Sequence, residues 1–446
     1  MGNVARVAAN QGGSMSSTQS SVGRYRWLIC LLLFLATTVN YIDRQILALL
    51  KPILDDELHW SNEQYGNINA AFSGAYAVGL LLFGKFIDRV GTKIGYAVSI
   101  AAWSLAAMGH SFVGSIGGFM RARVALGLSE GGNFPSAVKA VALWFPRKER
   151  AFATALFNSG ANVGAIVAPA IIPWVATTWG WRAAFVIAGV AGFLWLALWL
   201  PFYNIPERIG SLQASELEHI RSDRDEKQGA SERPLGWIEI LRYRQAYSFI
   251  VGKFLTDPVW WFFLIWLPDF FKKTRGLDIK KSWVHLVSIY AIVTVLSIVG
   301  GWLAGYLVRR GWSSNRARKV AMLVFAVAVL PVFLVTQVGD WGAVVLIGIA
   351  GAAHQAWSAN LFTTVSDMFP KRAIGSIVGI GGMAGSLGGI LFPIFTGKLL
   401  DRFQASGNVT AGYAILFILC GSAYLLAYGI GHALAPRFEQ VKIRDL

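Results

Sequence analysis

A chain of 446 residues with 55% hydrophobic, 13% aromatic and only 14% charged side chains falls well short of the roughly 25% charged residues of a water-soluble domain, and it has to live in lipid. Its formal net charge of +16 does not point to nucleic acid, because the basic residues sit in short loops between helices too apolar for an aqueous interface. The two cysteines, Cys30 and Cys420, lie inside apolar stretches, so neither a disulfide nor a metal centre is expected.

Residues 1–25 are rich in Ser, Gly and Ala and hold no apolar run, so they read as a disordered cytoplasmic tail and not as a cleaved signal peptide. Apolar stretches of the roughly 20 residues needed to cross a bilayer then predict α1–α6 near 26–50, 65–87, 94–112, 115–145, 151–174 and 181–203. The stretch 204–243, with Pro206, Glu207, Arg208 and the charged run from Arg221 to Lys227, has nothing apolar to insert and is expected to be a cytoplasmic linker. A second set, α7–α12, follows near 244–271, 284–309, 317–337, 341–369, 374–399 and 410–434, and 435–446 form a cytoplasmic tail. The expected fold is an all-α membrane protein of twelve transmembrane helices, in two six-helix bundles at 26–203 and 244–434.

The two sets are copies of one unit. FPRKERAFATALFNSGANVGAIVAP at 145–169 returns in outline, 224 positions later, as FPKRAIGSIVGIGGMAGSLGGILFP at 369–393. An offset of half the chain is the construction of secondary transporters built from repeated bundles. A second echo sets Gly84-x-x-x-Asp88-Arg89-x-Gly91-x-Lys93 against the segment from Gly301 to Gly311.

Lys and Arg fix the expected orientation. Arg89 and Lys93, then Arg147, Lys148 and Arg150, then Arg309, Arg310, Arg316, Arg318 and Lys319, then Lys371 and Arg372 all fall in loops on one side. By the positive-inside rule that side is cytoplasmic, and an even helix count puts both termini there. The opposite side carries Asp55, Asp56, Glu57 and Asp340, but also Lys272, Lys273, Lys280 and Lys281.

A charge at the bilayer centre costs about 3 kcal/mol or more, so each one is a functional-site hypothesis. The first bundle holds Asp43 and Arg44 in α1 and Arg123 and Glu130 in α4. Seven residues separate Arg123 from Glu130, two turns and about 10 Å of rise along one face, too far to pair but suited to line a cavity at two depths. An arginine fork grips a carboxylate bidentately and keeps its proton, while an acid in low dielectric can take one up. Fixed cations for an anion and titratable acids for a coupling proton are the minimum equipment of a proton–anion symporter. A buried structural ion pair, for example Arg44 with Glu130, is the alternative that these residues leave open.

The halves are chemically unequal, since the repeat places His354 opposite Glu130 and Ile347 opposite Arg123. In α10, His354, Gln355, Asn360, Thr363 and Thr364 suit hydroxyl groups better than a carboxylate, and in α5 Asn158 and Asn162 share a face at four-residue spacing. Lys253 and Asp257 in α7 are also four apart and can simply pair. Trp260, Trp261 and Trp357 are candidate stacking partners for a sugar ring, or packing aromatics.

The Gly84–Lys93 loop between α2 and α3 resembles the signature loop of the major facilitator superfamily, with its weaker copy between α8 and α9, and the likeness spans about 26 to 434. YIDR at 41–44, RVALGLSEGGNFPSA at 123–137, WFPRKERA at 144–151 and NSGANVGA at 158–165 are similar to the anion–cation symporter family. GTKIGYA at 91–97, KFLTDPVWWFFLIWLP at 253–268 and GAAHQAWSANLFTTVSDMF at 351–369 look most like its hexuronate branch. The resemblance implies that Arg44 and Arg123 face the substrate, that Tyr76 hydrogen-bonds it, that Glu130 titrates and that Asp43 joins the proton path. It also implies a gating role for Gly84, Asp88, Arg89, Gly91, Lys93 and Arg150. Ala161 and Gly382 stand where relatives place amide side chains, which bears on the exact substrate.

A membrane enzyme would need a nucleophile–base pair or a metal site, and no HExxH, GxSxG or acidic metal cluster occurs. The expected function is proton-coupled import of an acid sugar, a glucuronate or galacturonate first, by a monomer in the inner membrane with no cofactor beyond the proton gradient. The substrate pocket is expected at Arg44, Tyr76, Arg123, Asn158, Asn162, His354 and Gln355. Symport of another organic anion (an aldonate, aldarate or aromatic acid) and organic-phosphate exchange are the alternatives.

Overall fold

The computed structural model describes residues 23–222 and 237–441. Most of the expected N-terminal tail, the middle of the linker and the end of the C-terminal tail lie outside the described residues. The first bundle consists of α1 (Tyr25–Leu58), α2 (Asn62–Val90), α3 (Thr92–Gly109), α4 in two pieces (Ile116–Glu130 and Asn133–Trp144), α5 in two pieces (Arg147–Asn158 and Gly160–Trp179) and α6 (Trp181–Phe202). The second consists of α7 (Arg244–Arg275), α8 (Ile279–Arg309), α9 (Ser314–Val329, continued by a 3₁₀ turn), α10 (Asp340–Met368), α11 (Lys371–Ala405) and α12 (Val409–Leu434). Ten helices among the described residues are long and apolar enough to cross a membrane; the broken α4 and the 18-residue α3 complete the twelve.

Local chemistry sets the helix ends. Ser61 and Gln64 close a reciprocal capping box at the start of α2, and Asp278, Ser313 and Asn408 cap α8, α9 and α12 with their side chains. The sequence repeat is also a backbone repeat. Pro146 and Pro370, which cap α5 and α11, have φ/ψ of −63°/155° and −66°/157°, and Gly91 and Gly311 leave α2 and α8 at φ +84° and +87°, where an L side chain would be strained.

Both described termini lie at the end of the molecule that holds the basic loops, called here the basic end; the opposite end is the far end. The bundles meet where α2 packs on α11, α5 on α8 and α1 on α7, pairings related by the repeat. The α2–α11 seam is tight at the far end and splays toward the basic end. A Cβ placed on Gly66 would lie 2.3 Å from the Pro393 carbonyl oxygen, one on Gly74 3.7 Å from Ile390, and one on Gly84 would meet nothing within 4 Å. The gap between the bundles therefore opens at the basic end.

The linker is more structured than its polarity predicts. Residues Ala214–Arg221 form a helix whose Ile220 and Glu216 are buried, and Trp237–Ile240 form another turn. Glu216 accepts from the backbone N–H groups of Tyr25 (3.1 Å) and Arg26 (3.0 Å), the orphan donors at the start of α1. Arg26 then bonds Glu149 at 3.0 Å, which also accepts from His219 at 2.8 Å. Partial burial works to raise the Glu149 pKa, but the bonds from His219 and Arg26 outweigh it and hold the carboxyl below its ordinary range.

Candidate functional site

The site is assembled where α1, α2 and α4 face α7 across the seam. Arg44 reaches from α1 to α4, and its Nε donates to Glu130 Oε2 at 2.7 Å, with 8% and 0% of the two side chains exposed. Glu130 ends the first piece of α4, and the next residue, Gly131, packs so closely on α2 that a Cβ there would sit 2.4 Å from the Gly79 backbone. The close crossing of small residues seats α4 against α2, and the Arg44 side chain spans from α1 to it.

Aromatic faces surround the guanidinium. Its Cζ lies 4.4 Å from the Tyr76 ring centroid, 5.2 Å from Tyr41, 5.7 Å from Phe72 and 5.8 Å from Trp261. Trp261 belongs to the second bundle, so Arg44 touches both halves. Arg123 lies below it with 2% exposure, stacked 5.2 Å over Phe72 and donating to the Arg44 carbonyl at 3.3 Å. Asp43 is buried, and neither carboxylate oxygen has a protein partner; Glu130 Oε1 is likewise unpartnered. The arrangement presents two arginine cations and two acids, one of them paired, at a junction of the two bundles.

The Major Facilitator Superfamily model matches residues 33–393. The chain belongs to that family. It is 33% identical to the hexuronate transporter of Escherichia coli (strain K12) over 401 residues, covering 88% of this chain and 90% of that one. It is 29% identical to the probable galactarate/D-glucarate transporter GarP of the same strain, over 91% and 95% of the two chains. A solved D-xylose–proton symporter shares the fold at a TM-score of 0.71 and 16% identity, covering 95% of this chain and all of that one. This major facilitator protein is therefore a multi-pass membrane transporter and not an enzyme.

The facilitator fold brings some of the sequence-predicted residues together and leaves others apart. Arg44, Tyr76, Arg123, Glu130 and Asp43 converge. Gln355 is half-buried, Asn162 is half-buried and Asn158 is exposed on α5. His354 turns into the second bundle instead, where its Nδ1 lies 2.7 Å from Tyr424 Oη and its ring stacks on Trp260 at 5.5 Å. Trp357 is fully buried on Tyr424, which leaves Trp261 as the tryptophan at the junction. At the basic end, Asp88 accepts from Lys139 at 2.8 Å, Arg150 donates to the carbonyls of Phe145 and Ala142, Arg89 is exposed and the Lys93 carbonyl accepts from Trp199.

Hydropathy missed a second charged cluster altogether. The predicted α1 stopped at residue 50, but the helix continues to Leu58 and carries Lys51, 1% exposed, into the protein. Lys51 Nζ bonds Asp269 of α7 at 2.8 Å, Asp55 at 2.7 Å and Asn62 at 3.2 Å. Tyr413 Oη donates to Asp269 at 2.5 Å, and Lys273 adds contacts to Asp269 at 3.2 Å and Asn62 at 2.7 Å. Nearby, Asp401 of α11 accepts from the backbone N–H groups of Asn62 and Glu63 at 2.8 Å each and so caps α2 from the other bundle. The signal available in sequence was the four-residue spacing of Lys51 with Asp55 and of Asp269 with Lys273. Two of the four far-side lysines that blurred the charge asymmetry are thus partners of far-side acids, Lys273 of Asp269 and Lys272 of Asp56 at 3.0 Å.

Proposed function

We propose that this transporter is a proton-coupled importer of a hexuronate, glucuronate or galacturonate, with its basic end and both termini in the cytoplasm and the inner membrane as its site. The observation that carries the reading is the Arg44 guanidinium, held by Glu130 and ringed by aromatic faces at the one place where both bundles meet it. The names of the hexuronate and galactarate relatives support an acid sugar as cargo, and the positive-inside distribution supports the orientation.

Glu130 and the substrate carboxylate compete for the same arginine fork. A proton on Glu130 frees Arg44 for the incoming carboxylate, and its loss to the cytoplasm recaptures Arg44 and displaces the sugar acid. Asp43, buried beside them with neither carboxylate oxygen partnered, is the second station of the proton path. Arg123 supplies the companion cation. Tyr76, Asn158, Asn162 and Gln355 offer hydroxyl partners, and His354 holds the second-bundle wall in place through Tyr424 and Trp260. The Gly84–Lys93 loop, with Asp88, Arg89, Gly91 and Arg150, gates the basic end as the halves rock about the site. The protein acts as a monomer. Two acids at the site disfavour an organic-phosphate exchanger, which needs no proton carrier.

The test is Glu130→Gln in proteoliposomes. The variant is expected to exchange radiolabelled galacturonate across the membrane yet fail to concentrate it under an imposed pH gradient. Accumulation equal to wild type would remove Glu130 from the coupling path.

A further inference from the structure

A charged pair on α7 has no role in the reading above. Lys253 Nζ and Asp257 Oδ2 lie 2.7 Å apart, with 10% and 18% of the side chains exposed. These are charges in mid-membrane, and α7 is the most enclosed of the ten long apolar spans, α3 and α4 aside; it packs on α1, α10, α11 and α12. The residual exposure therefore faces the gap between the bundles and not lipid, where either charge would be costly.

The pair is aligned with the arginine site. Lys253, Asp257 and Trp261 follow one another at four-residue intervals on a single face of α7, about 6 Å of rise per step. Trp261 touches the Arg44 guanidinium. Asp257 thus sits one helical turn from Trp261, the second-bundle residue that touches the carboxylate-binding fork. Its position is made by α11: a Cβ on Gly385 would lie 2.2 Å from Asp257 Oδ2, so only glycine leaves the carboxylate room there. Lys253, stacked 4.8 Å over the half-exposed Phe362 ring, lies one turn further toward the basic end.

We propose that the Lys253–Asp257 pair reads the end of the substrate away from its carboxylate and selects monocarboxylic sugar acids over dicarboxylic ones. Asp257 accepts from a hydroxyl at that end and Lys253 donates to one, a charge-assisted pair of bonds that a polyol satisfies. A second carboxylate placed there meets Asp257, which both repels it and occupies the ammonium that would otherwise hold it. Specificity then comes from a repulsive element as much as from an attractive one. This inference rests on the acid-sugar reading of the site.

The experiment compares galacturonate with galactarate, the same carbon chain with one and two carboxylates, as competitors of labelled galacturonate binding to the purified full-length protein. Wild type is expected to prefer galacturonate at least tenfold. Asp257→Asn releases Lys253 and is expected to lower that preference tenfold or invert it, while Lys253→Gln weakens both ligands and keeps galactarate excluded. Gly385→Ala, which displaces the Asp257 carboxylate without removing it, is expected to move the ratio in the same direction as Asp257→Asn and serves if that variant does not fold. A ratio unchanged in Asp257→Asn or in Gly385→Ala, with galacturonate still bound, overturns this inference alone. Wild type that binds neither acid overturns the acid-sugar reading and the inference with it.

Discussion

Lys51 of α1 and Asp269 of α7 meet at 2.8 Å with 1% and 0% of their side chains exposed, a buried ion pair whose two members belong to different bundles. Around it, Asp55, Lys273, Asn62 and Tyr413 satisfy the remaining donors and acceptors, and Asp401 caps α2 a short distance away. A pair so placed exists only while the far end is shut. In the rocking motion proposed above, every one of these groups must find water instead.

Removing one partner of a buried pair leaves an uncompensated charge, at a cost of about 3–5 kcal/mol. Asp269→Asn is therefore expected to destabilise the closed far end and raise the population open at that end. Spin labels at the exposed positions Thr178 and Ser406 are expected to report longer distances by double electron–electron resonance. An unchanged distribution would mean that packing of α2 on α11 alone holds the seam.

Arg44→Lys keeps the charge but loses the planar fork and the stacking on Tyr76. Affinity for galacturonate is expected to fall by at least tenfold, measured by competition binding, since charge-assisted paired bonds are about twice as strong as neutral ones. Binding within twofold of wild type would make Arg44 a structural partner of Glu130 only.

The two acids are expected to differ when neutralised. Asp43→Asn replaces an unpartnered acid with a near-isostere, so the melting temperature should stay within a few degrees of wild type while the pH dependence of uptake changes. Glu130→Gln strips Arg44 of its counter-charge and should lower the melting temperature clearly further. Equal shifts in a thermal-melt assay would show that Asp43 carries charge in the folded protein.

Glu216→Ala removes the acceptor for the first two N–H groups of α1, a cap worth about 1 kcal/mol. Faster amide exchange confined to residues 25–28, with transport unaltered, is the expected result by hydrogen–deuterium exchange. Slowed transport would give the linker a part in the rocking motion.

Exposed ion pairs contribute about 0–1 kcal/mol, and Asp88 and Lys139 have 75% and 32% of their side chains exposed. Asp88→Asn is accordingly expected to leave the melting temperature unchanged and to act on the balance between inward- and outward-facing states, read from labels at the basic end. A large loss of stability would contradict a gating role.

Sequence alone determined what is local or repeated. Hydropathy places the spans because each helix must satisfy its own backbone in lipid, the doubled Phe-Pro-basic segments foretell the matching caps at Pro146 and Pro370, and the rarity of intramembrane charge picks out Asp43, Arg44, Arg123 and Glu130 before any contact is known. Tertiary structure decided which of those charges meet. That Arg44 takes Glu130 while Asp43 takes nothing, that His354 turns to Tyr424, and that Lys51 is a buried partner and not a helix-end lysine all depend on packing between segments 86, 70 and 218 residues apart. Such contacts leave no periodicity in the chain, because the spacing of residues along a helix fixes its faces but not the neighbour that each face will find.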